Sequence, residues 1–162
     1  PFAPELAVVR DSKEIPESKR DAVFELIQSI AASVSVVIVP ASEVDARGVH
    51  AANLDGMRRA VQGLSVEPAY VLTDGYAIEG LGVPNLAVWK GDQVVVSISA
   101  ASVIAKVTRD RIMRDMDSEF PQYGFAGHKG YITAAHTKAL NEHGPCAQHR
   151  TSFANVAALI HK

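Results

Sequence analysis

SISAASVIAKVTRDRIMRDMD, residues 97–117, is the stretch of sequence that decides the fold. It contains no Gly or Pro, and its Ala, Ile, Val and Met residues recur at spacings of three and four, which predicts a long amphipathic helix. A helix with one apolar side must pack that side against a second layer of structure. We predict that the apolar side carries Ile98, Ala101, Ala105, Ile112 and Met116.

A polar row follows the same helix. Ser102, Lys106 and Asp110 are spaced four residues apart, so a hydroxyl, an ammonium and a carboxylate stack along one face. The row can be a solvated face with a Lys-Asp ion pair, which adds only about 0.3 to 0.5 kcal/mol. It can also be a face that meets a charged ligand. The local sequence is compatible with both interpretations.

Composition places the chain among ordinary globular proteins. Its 162 residues suit one domain, 48% of them are hydrophobic and 21% charged, and the net charge of -2 gives no sign of a nucleic-acid partner. A single cysteine, Cys146, excludes an internal disulfide and a cysteine-based zinc site, and it fits a reducing compartment. We find neither a membrane-spanning run nor a signal peptide, so a cytoplasmic protein without a membrane partner is expected.

Periodicity and turn residues predict the other elements. Apolar spacing predicts helices at 17–33, from Ser42 with an interruption at Gly48, at 53–64, and near the C-terminus. Thr133 is expected to cap a helix over 134–143, which Gly144 and Pro145 end. Short strands are predicted at 35–40, 70–74 and 86–89.

Two positions outside the long helix have the chemistry of a binding site. Asp74 ends a predicted buried strand, where ligands of α/β sheets are usually met, although Asp-Gly is also an ordinary turn pair. The loop YGFAGHKGY at 123–131 mixes basic and aromatic residues, which can grip a phosphate and stack on a sugar or base. It could equally be a surface loop whose tyrosines fill the core.

Six sequence blocks occur in an order that resembles bacterial ribonuclease HII across nearly the whole chain. AASVIAKVTRDR and YGFAGHKGY are long and specific, so a chance match is excluded in practice. The blocks are DSK at 11–13, GMRRAV at 56–61, VLTDG at 71–75, SISAASVIAKVTRDR at 97–111, YGFAGHKGY at 123–131 and GPCAQHRTSF at 144–153.

The resemblance implies an α/β fold, a ribonuclease H-like mixed β-sheet flanked by helices. The whole of 1–162 would be one domain, with a C-terminal loop and helical portion from about residue 120. It also implies an endonuclease that hydrolyses the RNA strand of RNA–DNA hybrids, including single ribonucleotides in duplex DNA, and leaves a 5′-phosphate and a 3′-hydroxyl. The family uses Mn²⁺ or Mg²⁺ held by four carboxylates, and we expect a monomer.

Residue roles follow from the same resemblance. Asp74 and Asp110 match two catalytic, metal-binding carboxylates, and oxygen ligands suit such hard cations. The expected nucleic-acid-binding residues are Ser12 and Lys13 near the substrate backbone, Lys106 at a phosphate, Lys129 in the basic loop, and Tyr131, which matches a tyrosine that helps sense the ribose 2′-hydroxyl.

The opening of the chain departs from the family pattern. The family begins with a strand carrying adjacent Asp and Glu and then a Gly-Arg-Gly loop, whereas residues 1–10 contain Glu5, no Asp and no Gly. Two of the four carboxylates and the first strands are therefore missing, and we expect a fragment of a longer enzyme rather than a short protein unable to build the metal site. The alternatives to an enzyme are a non-catalytic hybrid-binding module and an inert fragment.

Overall fold

A computed structural model describes Val9 and residues 15–160. The described residues form two compact units. The first unit contains the described residues up to Val37 and Leu54–Val107, and the second contains Ile38–Asn53 and the described residues from Thr108 onward. The elements in chain order are α1 (Glu17–Ile30), α2 (Ala41–Arg47), α3 (Val49–Gln62), β1 (Val71–Asp74), β2 (Asn85–Val88), α4 (Gly91–Val94), α5 (Val96–Glu119), a 3-10 turn (Pro121–Tyr123), α6 (Phe125–His128), α7 (Ala134–His143) and α8 (Ala154–Ile160).

The long helix α5 confirms the prediction for 97–117, but the apolar side predicted for it is only partly correct. Ile98 is buried as expected, whereas Ala101 and Ala105 are exposed, and most of the buried residues lie on the opposite arc: Ala100, Val103, Ile104, Val107, Asp110 and Met113. Burial of a branched side chain removes far more apolar area from water than burial of a methyl group. The Val and Ile residues therefore set the orientation of the helix, and the alanines do not.

The core of the first unit joins α5 to α1. Phe24 and Ile27 of α1 form one cluster with Val103, which is fully buried, and with Val107. The spacing of three and four residues on both helices places these side chains on facing sides. A second cluster consists of Val71, Ile78 and Leu81, with Met57 and Val61 of α3 packed against it.

The sheet of the first unit consists of β1 and β2, which pair in parallel from Val71 with Asn85 to Asp74 with Val88. Both strands were predicted within one residue of their observed ends. The connection between them is closed by Asn85, whose side chain accepts the N–H of Ile78 at 3.0 Å and donates to its carbonyl at 3.0 Å. This fixes the register because the ends of the connection cannot slide past each other.

The strand predicted at 35–40 is not formed. Residues 31–40 contain neither helix nor strand, although exposure alternates along them, with Val36 and Ile38 exposed by 45% and 64%. The alternation of exposed and half-buried side chains that is typical of a strand is therefore present. A strand also needs hydrogen bonds to a neighbouring strand, and within the described part of the chain β1 and β2 pair only with each other.

Helix ends account for the remaining differences. The first helix ends at Ile30 rather than at residue 33. Gly48, with φ of 79°, ends α2, and α3 begins directly after it at Val49 rather than at residue 53. A short helix, α4, lies between the predicted second strand and the long helix, where no helix was predicted. The predicted 134–143 helix is confirmed at both ends, and the side chain of Thr133 accepts the N–H of His136 at 3.2 Å.

The second unit is built around the end of α5 and the C-terminal helices. Its apolar cluster contains Met113, Tyr123, Phe125, Ala139, Leu140 and Val156. Asp45 of α2 ties the segment before α8 to this unit, because its carboxylate accepts the N–H and hydroxyl groups of both Thr151 and Ser152 at 2.6 to 2.9 Å. These bonds, led by the Ser152 hydroxyl, hold the pKa of Asp45 well below its usual range.

Candidate active site

Asp74 lies exposed at the C-terminal end of β1, as predicted. Its Oδ1 accepts the backbone N–H of Gly91 at 2.9 Å, and the N–H of Gly75 donates to the carbonyl of Val88 at 3.0 Å. The carboxylate is therefore oriented by the first residue of α4, directly after the neighbouring strand. A carboxylate in this position can meet a ligand at the strand ends, which is where α/β sheets bind theirs.

Gly91 is required by the close approach that makes this bond. A Cβ atom at Gly91 would lie 2.4 Å from Cδ1 of Ile98 and 3.3 Å from Cβ of Val88. The preceding Lys90 has φ of 52°, the left-handed region that non-glycine residues rarely adopt. The backbone thus turns sharply to direct the N–H of Gly91 at Asp74. Gly91 was not identified from the sequence, and the signal for it was a glycine two residues after the predicted second strand.

Asp110 lies on the buried side of α5, where it is only 4% exposed. An ionised carboxylate is costly to bury unless other groups compensate it. The interpretation of the polar row as a solvated face is therefore wrong for Asp110. Lys106 is half-buried, and the hydroxyl of Ser102 donates to the carbonyl of Ser99 at 2.8 Å, which is a bond within the helix.

The loop after α6 presents one tyrosine and the core contains another. Tyr131 is 60% exposed, whereas Tyr123 is 4% exposed and its hydroxyl donates to the carbonyl of Gly144 at 2.7 Å. The core-filling interpretation of 123–131 therefore holds for Tyr123, whereas a binding role for the exposed Tyr131 stays a prediction. Lys129, with φ of 51°, directs its Nζ to the carbonyl of Ala126 within its own turn.

The predicted site residues divide between the two units. Asp74 and Lys106 belong to the first unit, and Asp110, Lys129 and Tyr131 belong to the second, where the last two share one loop. The predicted contacts Ser12 and Lys13 lie outside the described residues. Among the residues that the structure describes, no three His, Cys, Asp or Glu side chains are grouped closely enough to hold a metal ion.

No helix in the described ranges has the length and apolar character needed to cross a membrane.

Comparison with known proteins gives a consistent family. The family model for ribonuclease HII matches residues 4–156. Ribonuclease HII of Saccharopolyspora erythraea is 57% identical over 148 residues, which cover 91% of this chain and 65% of the relative. Ribonuclease HII of Mycolicibacterium smegmatis is 56% identical over 151 residues, which cover 93% of this chain and 56% of the relative. The chain thus spans between about half and two-thirds of the length of these curated relatives.

A solved structure supports the fold. The crystal structure of the ribonuclease H2 from Pyrococcus horikoshii OT3 superposes with a TM-score of 0.80 at 20% identity and covers 96% of this chain and 81% of that chain. The predicted ribonuclease H-like α/β fold is therefore confirmed. From the extent of the family match and the identity to its relatives, the chain belongs to the ribonuclease HII family.

Proposed function

We propose that this chain carries part of the active centre of an endonuclease that hydrolyses the RNA strand of RNA–DNA hybrids and cuts at single ribonucleotides in duplex DNA. Cleavage would leave a 5′-phosphate and a 3′-hydroxyl. The observation that carries the proposal is Asp74, an exposed carboxylate at the end of a parallel strand whose Oδ1 is fixed by the N–H of Gly91 at 2.9 Å. Because a structural turn residue needs no such partner from α4, this orientation favours a ligand-binding role.

Asp110 supports the same proposal for a different reason. It is 4% exposed and lies among the buried apolar residues of α5, near Val107 and Met113. Packing alone would favour an apolar residue there, because a carboxylate adds a cost of desolvation. An acid at such a buried position is therefore a candidate for a functional role.

Both acids have the oxygen donors that Mg²⁺ and Mn²⁺ prefer, and we propose that each of them is a metal ligand. When bound, these ions lower the pKa of a water molecule and stabilise the charge that develops on the attacking and leaving oxygens. The contribution of this chain is to hold the two carboxylates. Gly91 orients Asp74, and the rigid helix α5 holds Asp110.

The substrate contacts are proposed from charge and exposure. Lys106 would meet a phosphate from the half-buried face of α5, and Ser12 and Lys13 would meet the substrate backbone. The exposed ring of Tyr131 can stack near the ribonucleotide and report its 2′-hydroxyl. Lys129 would contribute its charge to the same loop, although its Nζ contacts the Ala126 carbonyl. We also propose that the enzyme works as a monomer in the cytoplasm.

Cleavage of an end-labelled DNA duplex with one ribonucleotide tests the proposal, with the complete gene product assayed in Mn²⁺ and in Mg²⁺. Asp74→Asn and Asp110→Asn should each lower kcat by more than about 100-fold, which equals about 2.7 kcal/mol of transition-state stabilisation. Asp115→Asn is the matched control, because Asp115 is an exposed acid on the same helix. Full activity in either of the first two variants would refute its role as a metal ligand. Metal-independent binding without cleavage, weakening steeply with salt, would instead indicate the non-catalytic alternative.

A further inference from the structure

Three histidines of the second unit form a cluster that the proposed chemistry does not use. The rings of His128 and His136 stack with centroids 4.1 Å apart and planes 11° apart, and the centroids of His136 and His149 are 5.3 Å apart. His136 and His149 are 5% and 7% exposed. Buried histidines need hydrogen-bond partners for both ring nitrogens.

The hydrogen-bond partners of His149 determine which of its ring nitrogens carries the proton. The backbone N–H of Cys146 donates to Nδ1 of His149 at 3.0 Å, and the thiol Sγ lies 3.1 Å from the same nitrogen. Because a ring nitrogen that accepts a hydrogen bond carries no proton, the proton of neutral His149 is on Nε2. That nitrogen lies 3.1 Å from Nε2 of His136.

His136 completes a chain with one direction. Its Nδ1 lies 3.0 Å from the carbonyl oxygen of Tyr131, and a carbonyl can only accept, so Nδ1 of His136 is the donor. Its Nε2 is therefore free of a proton and accepts from Nε2–H of His149. The hydrogen bonds run without conflict from the amide of Cys146 through both rings to the carbonyl of Tyr131.

His128 holds the same loop from its other side. Its Nδ1 accepts the N–H of Gly130 at 3.1 Å, so its Nε2–H donates to the carbonyl of Tyr123 at 2.8 Å. The backbone carbonyl of His128 accepts the N–H of Tyr131 at 2.9 Å. Both backbone polar groups of Tyr131 are thus bonded to histidines, while its ring is 60% exposed.

We propose that His136 and His149 are positioning residues that fix the backbone of Tyr131 so that its exposed ring meets the ribonucleotide. The inference rests on the proposed function for the role of Tyr131, but the hydrogen-bonded chain is a feature of the fold itself. An apolar pair could fill the same space, but it could not donate to the carbonyl of Tyr131. The hydrogen bond from His136 to the carbonyl of Tyr131 ends on a loop residue outside the core, and this bond distinguishes a positioning role from a role in packing.

Burial supports the neutral state that the chain requires. Desolvation lowers the pKa of both His136 and His149, repulsion by His128 lowers the pKa of both further, and repulsion by His136 also lowers the pKa of His149. A proton added to either ring would turn an acceptor into a donor and break the chain at that point.

His136→Phe tests the inference. It keeps a planar ring against His128 and removes the donor to Tyr131. We expect kcat/KM for a duplex with one ribonucleotide to fall by about 10- to 100-fold, the cost of a misplacement of about 1 Å. His136→Asn should recover most of this loss, because its amide Nδ2 branches at the same place as imidazole Nδ1. The matched control is His143→Phe, because His143 is an exposed histidine at the end of α7, and this change should leave kcat/KM unaltered.

Two further measurements separate positioning from folding. Tyr131→Ala should cause a loss similar to that of His136→Phe, and the double variant should lose no more than either, because one acts through the other. Additive losses would overturn the inference, as would equal activity of the Phe and Asn variants.

Amide hydrogen exchange of Gly130 and Tyr131 provides a readout that needs no activity. Exchange should quicken in His136→Phe and not in His143→Phe. If the wild-type protein does not cleave, the proposed function fails, while unchanged exchange in His136→Phe refutes the chain of hydrogen bonds independently.

Discussion

Replacing Gly91 by alanine should damage both the stability of the first unit and the orientation of Asp74. The added Cβ would lie 2.4 Å from Cδ1 of Ile98, a separation that real Cβ atoms do not adopt, and 3.3 Å from Cβ of Val88. The nearer atom is the end of a flexible side chain. The farther one belongs to β2 and cannot move without moving the strand.

The size of the effect follows from these two contacts. Rotation of Ile98 away from its preferred rotamer costs about 0.5 to 1.5 kcal/mol, and a tight contact inside a packed core costs about 1 to 3 kcal/mol in total. We expect Gly91→Ala to lower the free energy of unfolding by that total. Any shift of the α4 backbone also moves the N–H that donates to Asp74, so cleavage should fall by more than the loss of folded protein explains.

Ile98→Val provides the matched second variant, because valine lacks the Cδ1 atom that causes the closest contact. Alone it should cost about 0.5 to 1.5 kcal/mol. The free energy of unfolding of the double variant should exceed, by about 1 kcal/mol or more, the value expected if the effects of the two single changes simply added. Urea denaturation gives the free energy of unfolding of the wild type, both single variants and the double variant. Their cleavage rates are then compared under conditions in which all four proteins are folded. Additive changes would refute the steric argument, and full cleavage by Gly91→Ala would refute the role of its N–H.

Two further predictions concern the second unit. Because burial lowers the pKa of His136 and His149 below the ordinary 6.5, the unfolded chain binds more protons below that pH. The free energy of unfolding should therefore fall as pH drops below about 6.5, with a slope of up to about 1.4 kcal/mol per pH unit for each histidine. Urea denaturation at several pH values from about 8 to 5 measures this slope, and a free energy of unfolding that does not change over that range would contradict the prediction. Tyr123→Phe removes the only hydroxyl that donates to the carbonyl of Gly144 among the described residues. It should lower the free energy of unfolding, measured by thermal or urea denaturation, by about 1 to 2 kcal/mol. An unchanged free energy of unfolding would show that water replaces the bond.

Local signals in the sequence were sufficient for the elements that depend on local chemistry. Asp-Gly after a β-branched run predicts where β1 ends, and so places Asp74 at a strand end. Thr133 and the Gly144-Pro145 pair bound their helix because capping involves groups within one turn. The chemistry of Asp74 as a ligand, in contrast, came from the family blocks, since Asp-Gly alone is an ordinary turn.

Features that depend on distant parts of the chain could not be predicted. The side of α5 that is buried depends on the segments that pack against it, so the burial of Asp110 did not follow from its spacing to Lys106. The bonds from Asp45 to the residues before α8 join positions 106 and 107 residues apart. The chain from His149 to His136 likewise depends on ring geometry between two segments.

The two non-glycine residues with positive φ in the described ranges, Lys90 and Lys129, connect these observations. Each lies next to a backbone group that orients a candidate functional residue, since Gly91 follows Lys90 and donates to Asp74, and the loop of Tyr131 begins at Lys129. A left-handed residue with a side chain costs about 1 to 2 kcal/mol and persists only where surrounding contacts hold it. At both places those contacts are hydrogen bonds and packing from rigid neighbours. The candidate site therefore depends on rigid elements that force the backbone into strained turns, which is why the changes proposed for Gly91 and His136 should act on function beyond their effect on stability.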